Sequence, residues 1–188
     1  MIPGEPLPQS FEDQRDSYLD DPSQPQAIWR FVGEDEPATE RLGSLLAGTL
    51  PDGTVISLNG TLGAGKTRLV QALAAALGAD RRAVVSPTFT LCHAYEGRRT
   101  IHHLDAYRLH DSDEFLALGP EEFLDGTGIT VIEWGERVDD ALPRRRWTIA
   151  IEVLDEHRRR FTISVPRGRD PAGVNALRRL VESWRGGR

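Results

Sequence analysis

One lysine stands alone in this chain. Of its 23 basic residues 22 are arginines, and the single lysine, Lys66, lies in Gly60-Thr61-Leu62-Gly63-Ala64-Gly65-Lys66-Thr67. That run fits the P-loop pattern G-x-x-x-x-G-K-[ST], in which a glycine-rich turn points backbone N–H groups at phosphates and a helix N-terminus adds partial positive charge. An ammonium on a thin stem enters such a cradle where a planar guanidinium is too broad. Lys66 is therefore expected at the β- and γ-phosphates of a nucleoside triphosphate, and Thr67 is expected to offer its hydroxyl to Mg²⁺. The backbone of Leu62, Gly63, Ala64 and Gly65, continuing into Arg68, completes the expected nucleotide contacts.

A metal held by one hydroxyl and phosphates also needs a carboxylate, usually at the end of a neighbouring buried strand. Two runs qualify. Ile129-Thr130-Val131-Ile132-Glu133 is the better apolar strand ending in an acid, and Ile101-His102-His103-Leu104-Asp105 is the other. Both acids near one ion make sense if one holds the metal and the other orients the attacking water. His102 and His103 alternate along a strand, so they face opposite sides and do not form a joint metal site; both read as structural histidines.

The elements that must position these groups follow from periodicity. Residues 1–26 carry five prolines among acidic and polar residues and read as a flexible tail, leaving 27–188 as a single domain. Strands are expected at 27–32, 55–58 and 129–132, and helices at 36–49, 68–77, 111–123 (broken at Gly119-Pro120) and 171–184. Two hairpins are expected, 88–95 with 100–107 and 147–153 with 161–165. Strand, P-loop and helix in the first half, with antiparallel hairpins in the second, predict an α/β fold: a P-loop NTPase-like mixed sheet flanked by helices.

Composition narrows the partners. The chain has 188 residues, 39% of them apolar, a net charge of −6 and a pI near 5.4. A surface of that sign repels a phosphate backbone, so direct nucleic-acid binding is not expected, and the arginine runs 144–146 and 157–160 read as solvated charge. A single cysteine and the lack of a 20-residue apolar run point to a cytoplasmic protein without a membrane span. An Asn-Lys-x-Asp guanine motif is impossible with Lys66 as the only lysine. No segment reads as the arginine-bearing lid of a small-molecule kinase.

Several segments together resemble the bacterial TsaE (YjeE) family, the ATPase component of tRNA threonylcarbamoyladenosine synthesis. They are Ala38-Thr39 with Leu42-Gly43, the P-loop, Ser86-Pro87-Thr88-Phe89-Thr90-Leu91, His103-Leu104-Asp105-Ala106-Tyr107-Arg108-Leu109 and Ile132-Glu133-Trp134. The resemblance implies ATP as the nucleotide, Thr67 and Glu133 at Mg²⁺, and Asp105 as a second acid needed for turnover. It also implies a switch-like segment at 86–88 that brings Thr88 to the nucleotide, and Thr39 near the base. One arginine of the 157–160 run, assigned to Arg158, is implied to reach phosphate or base. TsaD- and TsaB-like proteins are the implied partners, and they would handle the tRNA.

Overall fold

A computed structural model describes residues 27–87, 92–166, 175, 177–179 and 182. The segment 1–26, expected to be a tail, and Thr88 lie outside the described residues. Seven strands form one mixed sheet in the order β1-β7-β6-β2-β5-β4-β3. They are β1 (Ala27–Gly33), β2 (Thr54–Asn59), β3 (Cys92–Tyr95), β4 (Ile101–Asp105), β5 (Ile129–Glu133), β6 (Trp147–Val153) and β7 (Arg159–Val165). The central four, β6, β2, β5 and β4, run parallel, while β1/β7, β6/β7 and β3/β4 pair antiparallel. This is the expected mixed sheet; the second hairpin is in place, and of the first, 92–95 pairs with 101–104 while 88–91 lies outside the described residues.

Burial explains the patterning. Five of the six β2 residues and all five of β5 are buried, as strands covered on both faces must be. One face packs Ile56, Leu58 and Val131 against α1 (Glu36–Thr49) and α2 (Lys66–Ala76). The opposite face gathers Val55, Leu104 and Ile132 with Phe115 of α3 (Ser112–Leu116) and Val138 of a 3-10 turn over Gly135–Ala141. A last short helix, α4 (Glu121–Leu124), follows the break at Gly119-Pro120, where Gly119 takes a φ of +66°. Of the expected C-terminal helix, residues 175, 177–179 and 182 are helical, and Leu177 is fully buried in the first core.

Helix ends are closed by specific groups. Asp35 caps α1 by accepting from Ala38 N–H at 2.9 Å, and Asp111 caps α3 by accepting from Glu114 N–H at 3.0 Å. At the other ends the β3–β4 turn supplies two arginines. Arg98 donates to Ala76 O at the end of α2, and Arg99 donates to Ala47 O and Leu50 O at the end of α1. A turn that the sequence marks only as polar therefore holds both helices against the sheet edge, because cations favour the carbonyl-rich helix C-terminus.

The two helices meet at Gly43, where an added Cβ would lie 2.5 Å from Ala72 Cβ and 2.8 Å from the Leu73 backbone nitrogen. Gly48, five residues on in the same helix, has open space around it. Opposite effects are expected. Gly43→Val should lower unfolding free energy by about 2 kcal/mol or more through overpacking. Gly48→Ala should raise it by roughly 0.5–1 kcal/mol through helix propensity. Urea unfolding of the two variants checks the pair, and equal effects would contradict the packing.

Candidate nucleotide site

β2 runs straight into the glycine loop. Gly60 has φ +144°, and a Cβ there would sit 2.4 Å from Ile151 O on β6, so only glycine lets the loop leave the strand this close to its neighbour. Gly65 closes the loop at φ +103° as the N-cap of α2. Unlike α1 and α3, this helix has no side-chain cap and no acid in its first turn. Its N-terminal N–H groups and positive dipole end are thus left for an anion.

Lys66 is only 5% exposed, and its Nζ donates to Gly60 O at 2.7 Å and Thr61 O at 3.0 Å. The ammonium also lies 3.6 Å from the centroid of the Trp134 ring, a cation–π contact. Burial pulls its pKa below the usual lysine value, while Glu133, Glu136 and Asp105 oppose the shift. The charge is held at the floor of the loop by carbonyl dipoles, an indole face and nearby acids.

The carboxylates arrive by register. β2 pairs in parallel with β5 so that Leu58 lies opposite Glu133, and β5 pairs with β4 so that Glu133 lies opposite Asp105. Glu133 Oε1 accepts from Thr67 Oγ1 at 2.7 Å and lies 2.8 Å from His103 Nε2. Asp105 accepts from Ser86 Oγ and, at 2.9 Å, from Tyr107 N–H. Both acids are nearly inaccessible, at 4% for Asp105 and 3% for Glu133. Two acids, one hydroxyl and one ammonium thus converge from β4, β5 and the start of α2. His102 lies on the other face, its ring 5.3 Å from that of Phe123.

Immediately after Glu133 the chain turns through Trp134, whose φ of +59° makes it the one non-glycine residue with positive φ among those described. Bulky residues seldom adopt this conformation, and where they do, they cluster at functional sites. The turn is fixed by Trp134 N–H bonding Leu58 O at 2.9 Å and by Gly135, where a Cβ would lie 2.3 Å from Ser57 Oγ. The indole is thereby set beneath Lys66 and 5.0 Å from the Tyr107 ring. The glycine after Trp134 is the sequence signal that could have pointed to this turn.

Two cavities flank the loop and share Gly63, Ala64, Gly65 and Arg68 in their walls. The first, about 380 Å³, is bounded by the loop, Leu62, Lys66, Thr67, Ser86, Asp105, Glu133 and Trp134. The second, about 410 Å³, is bounded by Thr39, the acids at 34–36 and the β6–β7 turn. Together they are of ligand-binding size. Thr39 stands in this second cavity, about 7% exposed. Arg158 does not border either cavity: its backbone N–H donates to Asp155 Oδ1 at 2.8 Å and its Nε to Asp155 Oδ2 at 2.6 Å within the β6–β7 turn, and these bonds draw the Asp155 carboxyl down to about 2. From the same run it is Arg159 that reaches the loop, its Nε donating to Ala64 O at 3.2 Å. Arg158 still belongs to the turn that Asp155 closes, whereas Arg159 opens β7, a division that a charge run in the sequence does not reveal.

Tyr95 carries a role that sequence did not indicate. Its buried hydroxyl donates to Val85 O at 2.9 Å and accepts from Val85 N–H at 3.3 Å, and Gln71 of α2 donates to Val84 O at 2.9 Å. The chain entering Ser86 is pinned from both the sheet and the P-loop helix.

Comparison with known proteins agrees with this geometry. The sequence model for "Threonylcarbamoyl adenosine biosynthesis protein TsaE" matches residues 33–161. A tRNA threonylcarbamoyladenosine biosynthesis protein TsaE from Treponema pallidum is 42% identical over 135 residues, covering 72% of this chain and 99% of that protein. The protein of the same name from Bacillus subtilis is 36% identical over 140 residues, covering 74% of this chain and 85% of the relative. The crystal structure of YdiB from Bacillus subtilis superposes with a TM-score of 0.68 at 26% identity, covering 82% of this chain and 96% of that one. With the glycine loop, the paired acids and the Glu-Trp turn all inside the matched span, the chain belongs to the TsaE family of tRNA threonylcarbamoyladenosine biosynthesis proteins.

Proposed function

We propose that this chain binds ATP with Mg²⁺ and hydrolyses it slowly, as a cytoplasmic component of threonylcarbamoyladenosine synthesis that acts with TsaD- and TsaB-like partners. The observation that carries the reading is the convergence of Lys66, Thr67, Glu133 and Asp105 at the mouth of an α2 N-terminus left without a side-chain cap. In this reading the phosphates occupy the cavity beside Glu133, and the base lies in the cavity beside Thr39.

The residues suit the metal as well as the nucleotide. Thr67 Oγ1 and Glu133 already meet at 2.7 Å, a hydroxyl and a carboxylate forming the hard oxygen set that Mg²⁺ prefers. When bound, the ion supplies charge neutralisation across the β- and γ-phosphates. Lys66 exchanges its contacts with Gly60 O and Thr61 O for phosphate oxygens. Asp105, held by Ser86 and Tyr107 N–H, accepts a hydrogen bond from the attacking water and orients it.

Slow turnover follows from what the cavity contains. Among the described residues its basic lining side chains are Lys66 and Arg68, and Arg68 is engaged in an ion pair with Glu36. Phosphoryl transfer draws its rate from positioning and charge stabilisation, and a site short of one cation is a slow one. A protein partner that packs on the site can complete it. Indirect contact with RNA accords with the net charge of −6. No helix among the described residues is long and apolar enough to cross a membrane.

Three measurements test the reading. Lys66→Ala should lose at least about tenfold in ATP affinity by calorimetry, with far-ultraviolet circular dichroism unchanged; equal affinity in the folded variant would contradict the phosphate role. Asp105→Asn should bind ATP nearly as tightly as the parent yet lose about 100-fold in turnover, and Glu133→Gln should raise the Mg²⁺ concentration needed for half-maximal hydrolysis. Wild-type hydrolysis in both would remove these assignments. Steady-state hydrolysis should rise at least about tenfold on adding the cognate TsaD- and TsaB-like proteins. Fast hydrolysis alone, indifferent to partners, would mark a self-sufficient enzyme.

A further inference from the structure

His103 is a fully buried imidazole in the middle of β4, with a relative exposure of 0%. Its position follows from strand register. His103 and Asp105 are two residues apart and share one face, and Asp105 lies opposite Glu133 on β5, so His103 is the diagonal neighbour of Glu133. The gap is closed by a single bond, His103 Nε2 to Glu133 Oε1 at 2.8 Å. Against an accepting carboxylate oxygen Nε2 is the donor. The other ring nitrogen, Nδ1, is buried without a partner among the described residues. The Nε2 bond to Glu133 is the hydrogen bond that anchors this imidazole among the described residues. The Tyr95 ring, 6.0 Å away and tilted by 45°, packs against it.

Both donors, Thr67 Oγ1 and His103 Nε2, fall on the same oxygen, Glu133 Oε1. Glu133 Oε2 receives no hydrogen bond from any described residue. Two fixed donors on one oxygen lock the carboxylate rotamer and leave the second oxygen uncommitted. Groups that hold a ligating carboxylate in this way tune metal affinity without touching the metal, and their removal typically costs about 10–100-fold.

We propose that His103 is a positioning residue that holds Glu133 in its metal-ready rotamer by donating from Nε2, and is not a structural filler of the core. The inference rests on the reading of Glu133 as the Mg²⁺ carboxylate. Glutamine at this position can place an amide N–H₂ where Nε2 stands, whereas asparagine is too short and offers its amide near the place of Nδ1.

The test uses the full chain with Mn²⁺ as probe and the β,γ-imido analogue of ATP. Mn²⁺ affinity is read by electron paramagnetic resonance, analogue affinity is read in excess EDTA, and thermal melts report folding. His103→Asn should weaken Mn²⁺ binding about tenfold, while His103→Gln stays within about threefold of wild type. Metal-free analogue affinity should stay within about twofold of wild type in both variants, since the phosphate cradle is untouched. Mn²⁺ affinity unchanged in His103→Asn, or lost equally in a folded His103→Gln, would overturn the inference while leaving the ATP reading intact. Should His103→Asn not fold, His103→Gln alone decides, and loss of its Mn²⁺ affinity overturns the proposal. Wild-type chain that adds nothing to the Mn²⁺ affinity of the free analogue would overturn the metal site itself.

Discussion

The hydrogen bond between Thr67 Oγ1 and Glu133 Oε1, 2.7 Å long and spanning 66 residues of sequence, is the constraint on which the site depends. It exists because β2 and β5 pair in parallel with Leu58 opposite Glu133, so that the strand leading into the glycine loop and the strand ending in the acid finish at the same level. A slip of one residue would turn Glu133 to the opposite face of the sheet and bury an acid among Val55, Phe115 and Val138. The cost of that burial makes the apolar pattern of β5 as much a device for aiming a carboxylate as for building a core. Ligand sites of open α/β sheets lie at the carboxyl ends of their parallel strands, where Gly60, Asp105 and Glu133 are found.

Around that bond the rest of the molecule sets directions. Trp134 takes a left-handed conformation that Gly135 and Leu58 O enforce, and the result is an indole face beneath the only lysine. Arg98 and Arg99 tie the ends of α2 and α1 to the β3–β4 turn, which fixes the axis of the P-loop helix. Tyr95 and Gln71 fix the chain that delivers Ser86 to Asp105. Membership of the TsaE family places this arrangement in tRNA threonylcarbamoyladenosine biosynthesis. The nucleotide chemistry proposed here is the part the site itself supports.

Much of this was legible in the residues. The glycine loop between a strand and a helix, two buried runs ending in Glu133 and Asp105, and two hairpins are local patterns, and their described parts lie within a few residues of the expected bounds. What was not legible depends on long-range placement. Where the turn ends and β7 begins sends Arg159 to Ala64 and leaves Arg158 with Asp155, a choice that no charge run encodes. His103 reads as a core histidine until β4 and β5 are placed in register, and only then does its Nε2 meet Glu133. The 3-10 turn at Gly135–Ala141 has no helical apolar period to announce it, because it is shaped by close packing of Gly135 on Ser57.

The proposed ATP·Mg²⁺ site joins a cradle without a side-chain cap to a hydroxyl–carboxylate pair. Calorimetric titration of the purified chain with ATP, ADP and GTP, each with and without Mg²⁺, is the decisive experiment. Saturable one-to-one binding of ATP, tightened by Mg²⁺ and favoured over GTP, is expected. Absence of ATP binding, or binding indifferent to Mg²⁺, would rule out a joint nucleotide and metal site.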